Sequence, residues 1–189
     1  MTTVADYVIE FLSDHVEHIF TVSGGGSIFL CDALARSKKI KYVCTHHEQA
    51  AGYAAEAYAR LHGLGVTLVT SGPGGTNAVS AVAASWLDSV PHIFISGQAF
   101  TNQTITDHPG LRQLGVQEIN IVDIVKPITK YAVMIRDHTQ IRYHLGKALY
   151  LARSGRPGPV WLDIPGDVQN AQIHVSSLPR FDSHAQQNT

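Results

Sequence analysis

The sequence predicts an α/β fold: a doubly wound parallel sheet with helices on both faces. Three observations carry that prediction. The strand candidates are continuous apolar runs rather than alternating ones, as strands buried on both faces should be. Stretches of helical length and composition separate most of them, which is the order of a βαβ chain. Gly63 and Gly155 stand where helices should stop.

Taken in order, a helical stretch over 4–15 comes first. His18-Ile19-Phe20-Thr21-Val22-Ser23 then reads as a compact buried strand, halted by Gly24, Gly25 and Gly26. Further strands are expected at 40–45, 66–70, 92–96, 128–135 and 160–164, all rich in Val, Ile, Thr or aromatic residues. Helices are expected over 27–36, 48–62, 76–87 and 139–152. The stretch 97–117, with Asn102, Asp107, Pro109 and Gly110, lacks periodicity and exceeds an ordinary connection, so it reads as functional or mobile. From Asn170 to Thr189 apolar residues thin out. Residues 1–169 are therefore read as one domain, and 170–189 as a linker or tail.

Composition excludes several classes. A length of 189 residues suits one α/β domain with a real core. Fourteen basic against fifteen acidic residues, with no basic cluster beyond Arg36-Ser37-Lys38-Lys39, leave no electrostatic footprint for nucleic acid or an anionic membrane. No apolar run approaches bilayer length and no leader pattern opens the chain, so a cytoplasmic protein is expected. Cys31 and Cys44 lack CxxC spacing and read as small buried hydrophobes. The eleven histidines form no H-E-x-x-H pattern, so no zinc site is expected.

In a doubly wound sheet ligands bind at the carboxyl ends of the strands. Three loops fall there: Ser23-Gly24-Gly25-Gly26-Ser27, Thr45-His46-His47-Glu48-Gln49 and Thr70-Ser71-Gly72-Pro73-Gly74-Gly75-Thr76-Asn77. Glycines at such turns let a ligand approach the backbone, although a tight βα turn needs glycine for its own geometry as well. The third loop nearly matches G-x-G-x-x-G, but Asn77 replaces the last glycine and no acidic residue follows the next strand to hold a ribose. A dinucleotide site is disfavoured. Thr45-His46-His47-Glu48 also fits an S/T-x-x-E capping box, which is the bland reading of Glu48. A carboxylate, two imidazoles and two glycine loops converging on one sheet edge favour a site.

The runs His47-Glu48-Gln49-Ala50-Ala51-Gly52-Tyr53-Ala54-Ala55-Glu56-Ala57-Tyr58-Ala59-Arg60 and Thr70 to Asn77 resemble the acetolactate synthase family of thiamine-diphosphate-dependent enzymes. So do Leu87-Asp88-Ser89-Val90-Pro91, Ser96-Gly97-Gln98, Gln117-Glu118, Ser154-Gly155-Arg156-Pro157-Gly158-Pro159-Val160 and Asp163-Ile164-Pro165, in family order from about Val16 to Gln169. The resemblance implies the N-terminal pyrimidine-binding domain. It makes Glu48 the glutamate that bonds the ring nitrogen of the cofactor's aminopyrimidine, puts Pro73 and Asn77 on the pyrimidine side, turns Gln117 toward the reacting centre and lays the Gly25 backbone near the ring. The resemblance further implies decarboxylation of a small 2-oxo acid and transfer of the acyl unit to a carbonyl acceptor, by a homodimer or higher oligomer. Gly24-Gly25-Gly26 stands where the family usually has Pro-Gly-Gly, and Gly115-Val116 where it has Ala-Phe, which widens the expected donors and acceptors.

In that family the diphosphate and Mg2+ are held by a separate C-terminal domain through Gly-Asp-Gly, which this sequence lacks. Pro165-Gly166-Asp167-Val168 belongs to the pyrimidine-domain ending, so no metal ligand is expected here. The chain then reads as a fragment of a longer enzyme. Two alternatives stay open: the pyrimidine-domain subunit of a split 2-oxo acid decarboxylase, and a noncatalytic dimerisation or regulatory module in which Glu48 only caps a helix.

Overall fold

The structure is a computed structural model and describes residues 1–108 and 110–183. Pro109 and residues 184–189 of the expected tail lie outside the described residues. In chain order the elements are β1 (Thr2–Thr3), α1 (Val4–Ser13), β2 (His18–Thr21), α2 (Ile28–Arg36), β3 (Lys41–Cys44), α3 (Glu48–His62), β4 (Gly65–Val69), α4 (Pro73–Leu87), β5 (His92–Gln98), α5 (Ile121–Val125), β6 (Tyr131–Met134), α6 (Ile141–Arg153), β7 (Pro159–Pro165), α7 (Gly166–Asn170) and β8 (Gln172–Ile173). Six of the strands form one parallel sheet, ordered β3-β2-β4-β5-β7-β6. The doubly wound reading holds.

Side chains alternate across this sheet and so build two cores. Ile93, Ile95, Val160, Leu162 and Ile164 face one side and pack with Val8, Leu12, Leu30, Ile141 and Leu145 from α1, α2 and α6. Phe94 and Trp161, stacked at 5.4 Å, face the other with Ala78, Ala81 and Val82 of α4 and Ile121 and Val125 of α5. On that second side α3 lies close against α4, because a Cβ on Gly52 would overlap that of Ala81. His92 is fully buried there, with Thr67 Oγ1 2.8 Å from its Nε2 and Ser85 Oγ 3.0 Å from its Nδ1, and burial pushes its pKa down to about 3.

Local chemistry explains most boundaries. Thr3 caps α1 by accepting from Asp6 N, and Gly63 closes α3 in the left-handed conformation at φ 82°. Helix α4 begins at Pro73 rather than 76, since the pyrrolidine φ suits a first helical position and Gly74 and Gly75 give the room the turn needs.

The structure departs from the sequence expectations in three places. Strand β3 is exposed at all four residues because it forms the sheet edge, so Cys44 is exposed; Cys31 of α2 is half-buried, and neither is the buried hydrophobe expected. The two-residue strands β1 and β8 pair antiparallel, and the short helices α5 and α7 were not anticipated. The stretch after 169 packs on the domain as far as Phe181: Leu178 is buried, Arg142 donates to Val175 O at 2.9 Å, and Phe181 stands edge-on to Tyr143. No helix among the described residues is long and apolar enough to cross a membrane.

Gly97 sits where β5 passes the first glycine loop, and a Cβ there would overlap the Gly26 carbonyl and Ser27 N, both backbone. Gly97→Ala is expected to destabilise the fold by about 3 kcal/mol, whereas Gly110→Ala, which meets open space, should stay within roughly 0.5 kcal/mol; urea unfolding distinguishes them.

Candidate functional site

From β2 the chain crosses to β3 on one side and then to β4 on the other, so the loops after β2 and β4 diverge at the switch point of the sheet. The glycine loop after β2 is locked to the one after β4. Gly26 N donates to Thr70 Oγ1 at 3.0 Å, and neither Gly24 nor Gly26 has room for a Cβ, the obstacles being Thr70 and Ser71. Gly24 is extended at φ −172°, a value the proline ring cannot reach, so a proline here would require the loop to take another course. Gly25 differs. A Cβ there would meet nothing within 4 Å.

Glu48 is the first residue of α3, at the carboxyl end of β3. The cap of that helix is His47, whose Nδ1 accepts from Gln49 N at 3.2 Å, while the Thr45 hydroxyl donates to His47 O at 2.8 Å. The capping box is therefore not formed, and the carboxylate is turned elsewhere. Asn77, one turn into α4, donates from Nδ2 to Glu48 Oε2 at 3.0 Å, and Gly74 lies beside Oε1. Among the described residues Asn77 is the only hydrogen-bond partner of this carboxylate. Pro73 opens α4 between the two groups of site residues.

Gln117 lies in the segment read as functional or mobile, and carboxylates tie that segment down. Thr101 donates from N and Oγ1 to Asp167 Oδ1 at 2.9 and 3.0 Å, and Arg136 pairs with Asp107. Glu118 accepts from Ile105 N at 3.0 Å and Leu114 N at 3.3 Å. Gln117 itself has φ 54°, a strained value for a side chain with a Cβ, and its backbone rests on Gly72, whose φ of 56° and lack of a Cβ admit it. Gln117 and Gly25 line one cavity of about 240 Å³, with Ile28, Ser71, Gln98 and Val116. Glu48 and Asn77 stand outside its lining, joined to it through the 70–77 segment.

Beneath this cavity lies a polar network. Asp163 of β7 is fully buried; Ser96 Oγ donates to its Oδ1 at 2.6 Å, Gln98 Nε2 donates to its Oδ2 at 3.0 Å, and Trp161 Nε1 donates to Ser96 Oγ at 2.8 Å. Burial pushes the Asp163 pKa up to about 7; the donated bonds oppose that shift and the Glu118 charge adds to it. Sequence alone assigns these residues no role. The available signal was a carboxylate inside the continuous apolar run of β7. A larger cavity of about 670 Å³, among Trp86, Lys130, Tyr150 and Arg156, lies at the amino ends of the strands and contains none of the site residues.

Residues 2–124 match the family described as thiamine pyrophosphate enzyme, N-terminal TPP binding domain. The chain belongs to this family. It is 43% identical over 176 residues to an acetolactate synthase of Arthrospira platensis, covering 90% of this chain and 29% of that protein. It is 39% identical over 179 residues to the acetolactate synthase isozyme 1 large subunit of Escherichia coli (94% and 31%), and 42% identical over 167 residues to the chloroplastic acetolactate synthase of Arabidopsis thaliana (87% and 24%). The chain thus spans less than a third of the length of these curated relatives.

Because His47 supplies the cap, Glu48→Gln is expected to change folding stability by less than about 1 kcal/mol, the loss of a charge near a helix N-terminus. Thermal melts check this. A larger loss would give Glu48 a structural role.

Proposed function

We propose that this chain contributes the pyrimidine half of a thiamine diphosphate site, with Glu48 as its catalytic carboxylate. The observation that carries the reading is the Asn77 to Glu48 hydrogen bond, which fixes one carboxylate oxygen and leaves Oε1 for a ligand. The rest of the donor set fits an aminopyrimidine. Gly25 offers open backbone at the mouth of the cavity, Pro73 and Asn77 present the α4 side, and the strain at Gln117 is of the kind that clusters at working sites.

When bound, thiamine diphosphate supplies the carbanion chemistry that decarboxylates a small 2-oxo acid and passes its acyl unit to a carbonyl acceptor. Glu48 does the proton work. Its Oε1 would hold a proton shared with the cofactor's ring nitrogen, while the bond from Asn77 keeps the carboxylate from turning away. Gln117 bounds the reacting centre, and Val116, 86% exposed beside the cavity, leaves room for bulkier acceptors than the family's Phe would. The chain carries no Gly-Asp-Gly, so we place the diphosphate and Mg2+ on another domain.

The chain works in this reading as part of a cytoplasmic homodimer or higher oligomer. Tyr53 and Ala57 of α3 and Asn77, Ser80 and Leu87 of α4 form an exposed face of mainly small or apolar residues running from the Glu48 end, the place a second copy would cover.

The isolated chain is expected to bind thiamine diphosphate only weakly in titration calorimetry with Mg2+ present; micromolar or tighter binding would mean that its own residues hold the diphosphate. In the full-length enzyme Glu48→Gln should remove most turnover with the fold intact. Mixed and refolded with a variant disabled in diphosphate binding, it should regain part of the activity through hybrid dimers. No recovery in confirmed hybrids would show that each site is built within one chain.

A further inference from the structure

The side chain of Gln98 joins the two ends of the long segment that carries Gln117. Its Oε1 accepts from Ala99 N at 3.0 Å, where the segment leaves β5, and its Nε2 donates to Ile119 O at 3.0 Å, where the segment ends. The second Nε2 hydrogen goes to Asp163 Oδ2 at 3.0 Å. The amide orientation is dictated by its neighbours, since two acceptors face the nitrogen and one donor faces the oxygen. Asp163 is in turn aligned by Ser96, which Trp161 holds.

We propose that Asp163 and Gln98 are positioning residues: the buried carboxyl group of Asp163 orients the Gln98 amide, and the amide clamps the 99–119 segment so that Gln117 is held in its strained backbone conformation against Gly72. The first half of the argument is geometric and independent of function. The second rests on the thiamine reading of the site. Without the clamp, Glu118 would still gather Ile105 and Leu114 and Asp167 would still hold Thr101, but Ile119 O would lose its bond to the end of β5.

Loosening the segment would bring water to Asp163. Every element around that carboxyl group is otherwise uncharged toward it: β5 offers Ser96 and Gln98, β7 offers Trp161 through Ser96, β6 offers Met134, and α4 has no charged residue. Asp123 of α5 is turned to Asn120, and among the described residues Glu118 is the charge that acts on Asp163. The clamped state holds the proton up to about pH 7, while a hydrated carboxyl loses it near the ordinary 3.8. Clamping therefore binds a proton more tightly. Its advantage is full below 3.8 and shrinks as pH rises through that window.

The test is hydrogen exchange, read by mass spectrometry on the full-length protein and corrected for the intrinsic pH dependence, paired with steady-state kinetics. Gln98→Met, close in shape and without the amide, should speed exchange across 99–119 by about tenfold or more while β4 and β7 peptides stay protected. Asp163→Leu should do the same. Asp163→Asn keeps an acceptor for Gln98, so it should preserve protection and abolish the rise in exchange expected of the wild type as pH rises from 3.8 to about 7. In turnover of a 2-oxo acid, Gln98→Met should lower kcat about tenfold with KM within about twofold. Unchanged exchange in Gln98→Met, or equal loosening of the whole sheet, overturns the clamp. If Glu48→Gln abolishes turnover while Gln98→Met leaves kcat unchanged, the positioning role falls and the thiamine reading stands. Full turnover in Glu48→Gln overturns the thiamine reading, and the exchange data still decide the clamp.

Discussion

Close backbone-to-backbone approach at the carboxyl edge of the sheet is the constraint on which the rest depends. Gly97 of β5 lies against the backbone of Gly26, and Gly72 lies against that of Gln117. Gln169, fully buried, adds a bond from Nε2 to Gly26 O at 2.7 Å and another to Ile164 O at 2.7 Å. Three loops from separate strands thereby become one surface. A methyl group at either glycine would push apart segments that rigid strands hold in place, so the cost falls on the site and cannot be absorbed by a flexible side chain.

His92 and Asp163, both fully buried, lie on the Phe94 and Trp161 side of the sheet, and burial favours the neutral form of each. The low pKa of His92 means that its contribution to stability is full above the ordinary 6.5 and is lost as pH falls toward about 3. Asp163 has the opposite slope: its contribution is full below 3.8 and declines as pH rises toward about 7. Their environments differ in kind. His92 is boxed in by Thr67, Ser85 and Phe94 in the body of the core, whereas Asp163 sits one layer under the cavity and bonds to the residue that closes the loop.

The fold was legible because burial on both faces writes itself as unbroken apolar runs, as in Val66 to Val69 and His92 to Ser96. The same composition misleads at β3, where Tyr42 and Val43 are exposed, because an edge strand differs from a central one only in its neighbours. Two-residue strands such as β1 and β8 carry no period at all, and Gly72-Pro73-Gly74-Gly75 reads as a turn until Pro73 is seen as a first helical residue. At the site, Glu48 stood out by its place after a strand. Its partner Asn77 lies 29 residues away, and no local pattern announces such a pairing. The capping box failed as a description because His47, not Thr45, took the cap.

The segment between β5 and α5 is fastened at Thr101, Ile105, Asp107 and Leu114, while His108, Leu111 and Arg112 between those fastenings are exposed. Frame and variable positions are thus separated along one stretch of chain. Substitutions at the exposed positions would leave untouched the bonds that hold the segment in place. Such a layout favours evolvability: exposed side chains can be replaced singly on a scaffold that stays the same.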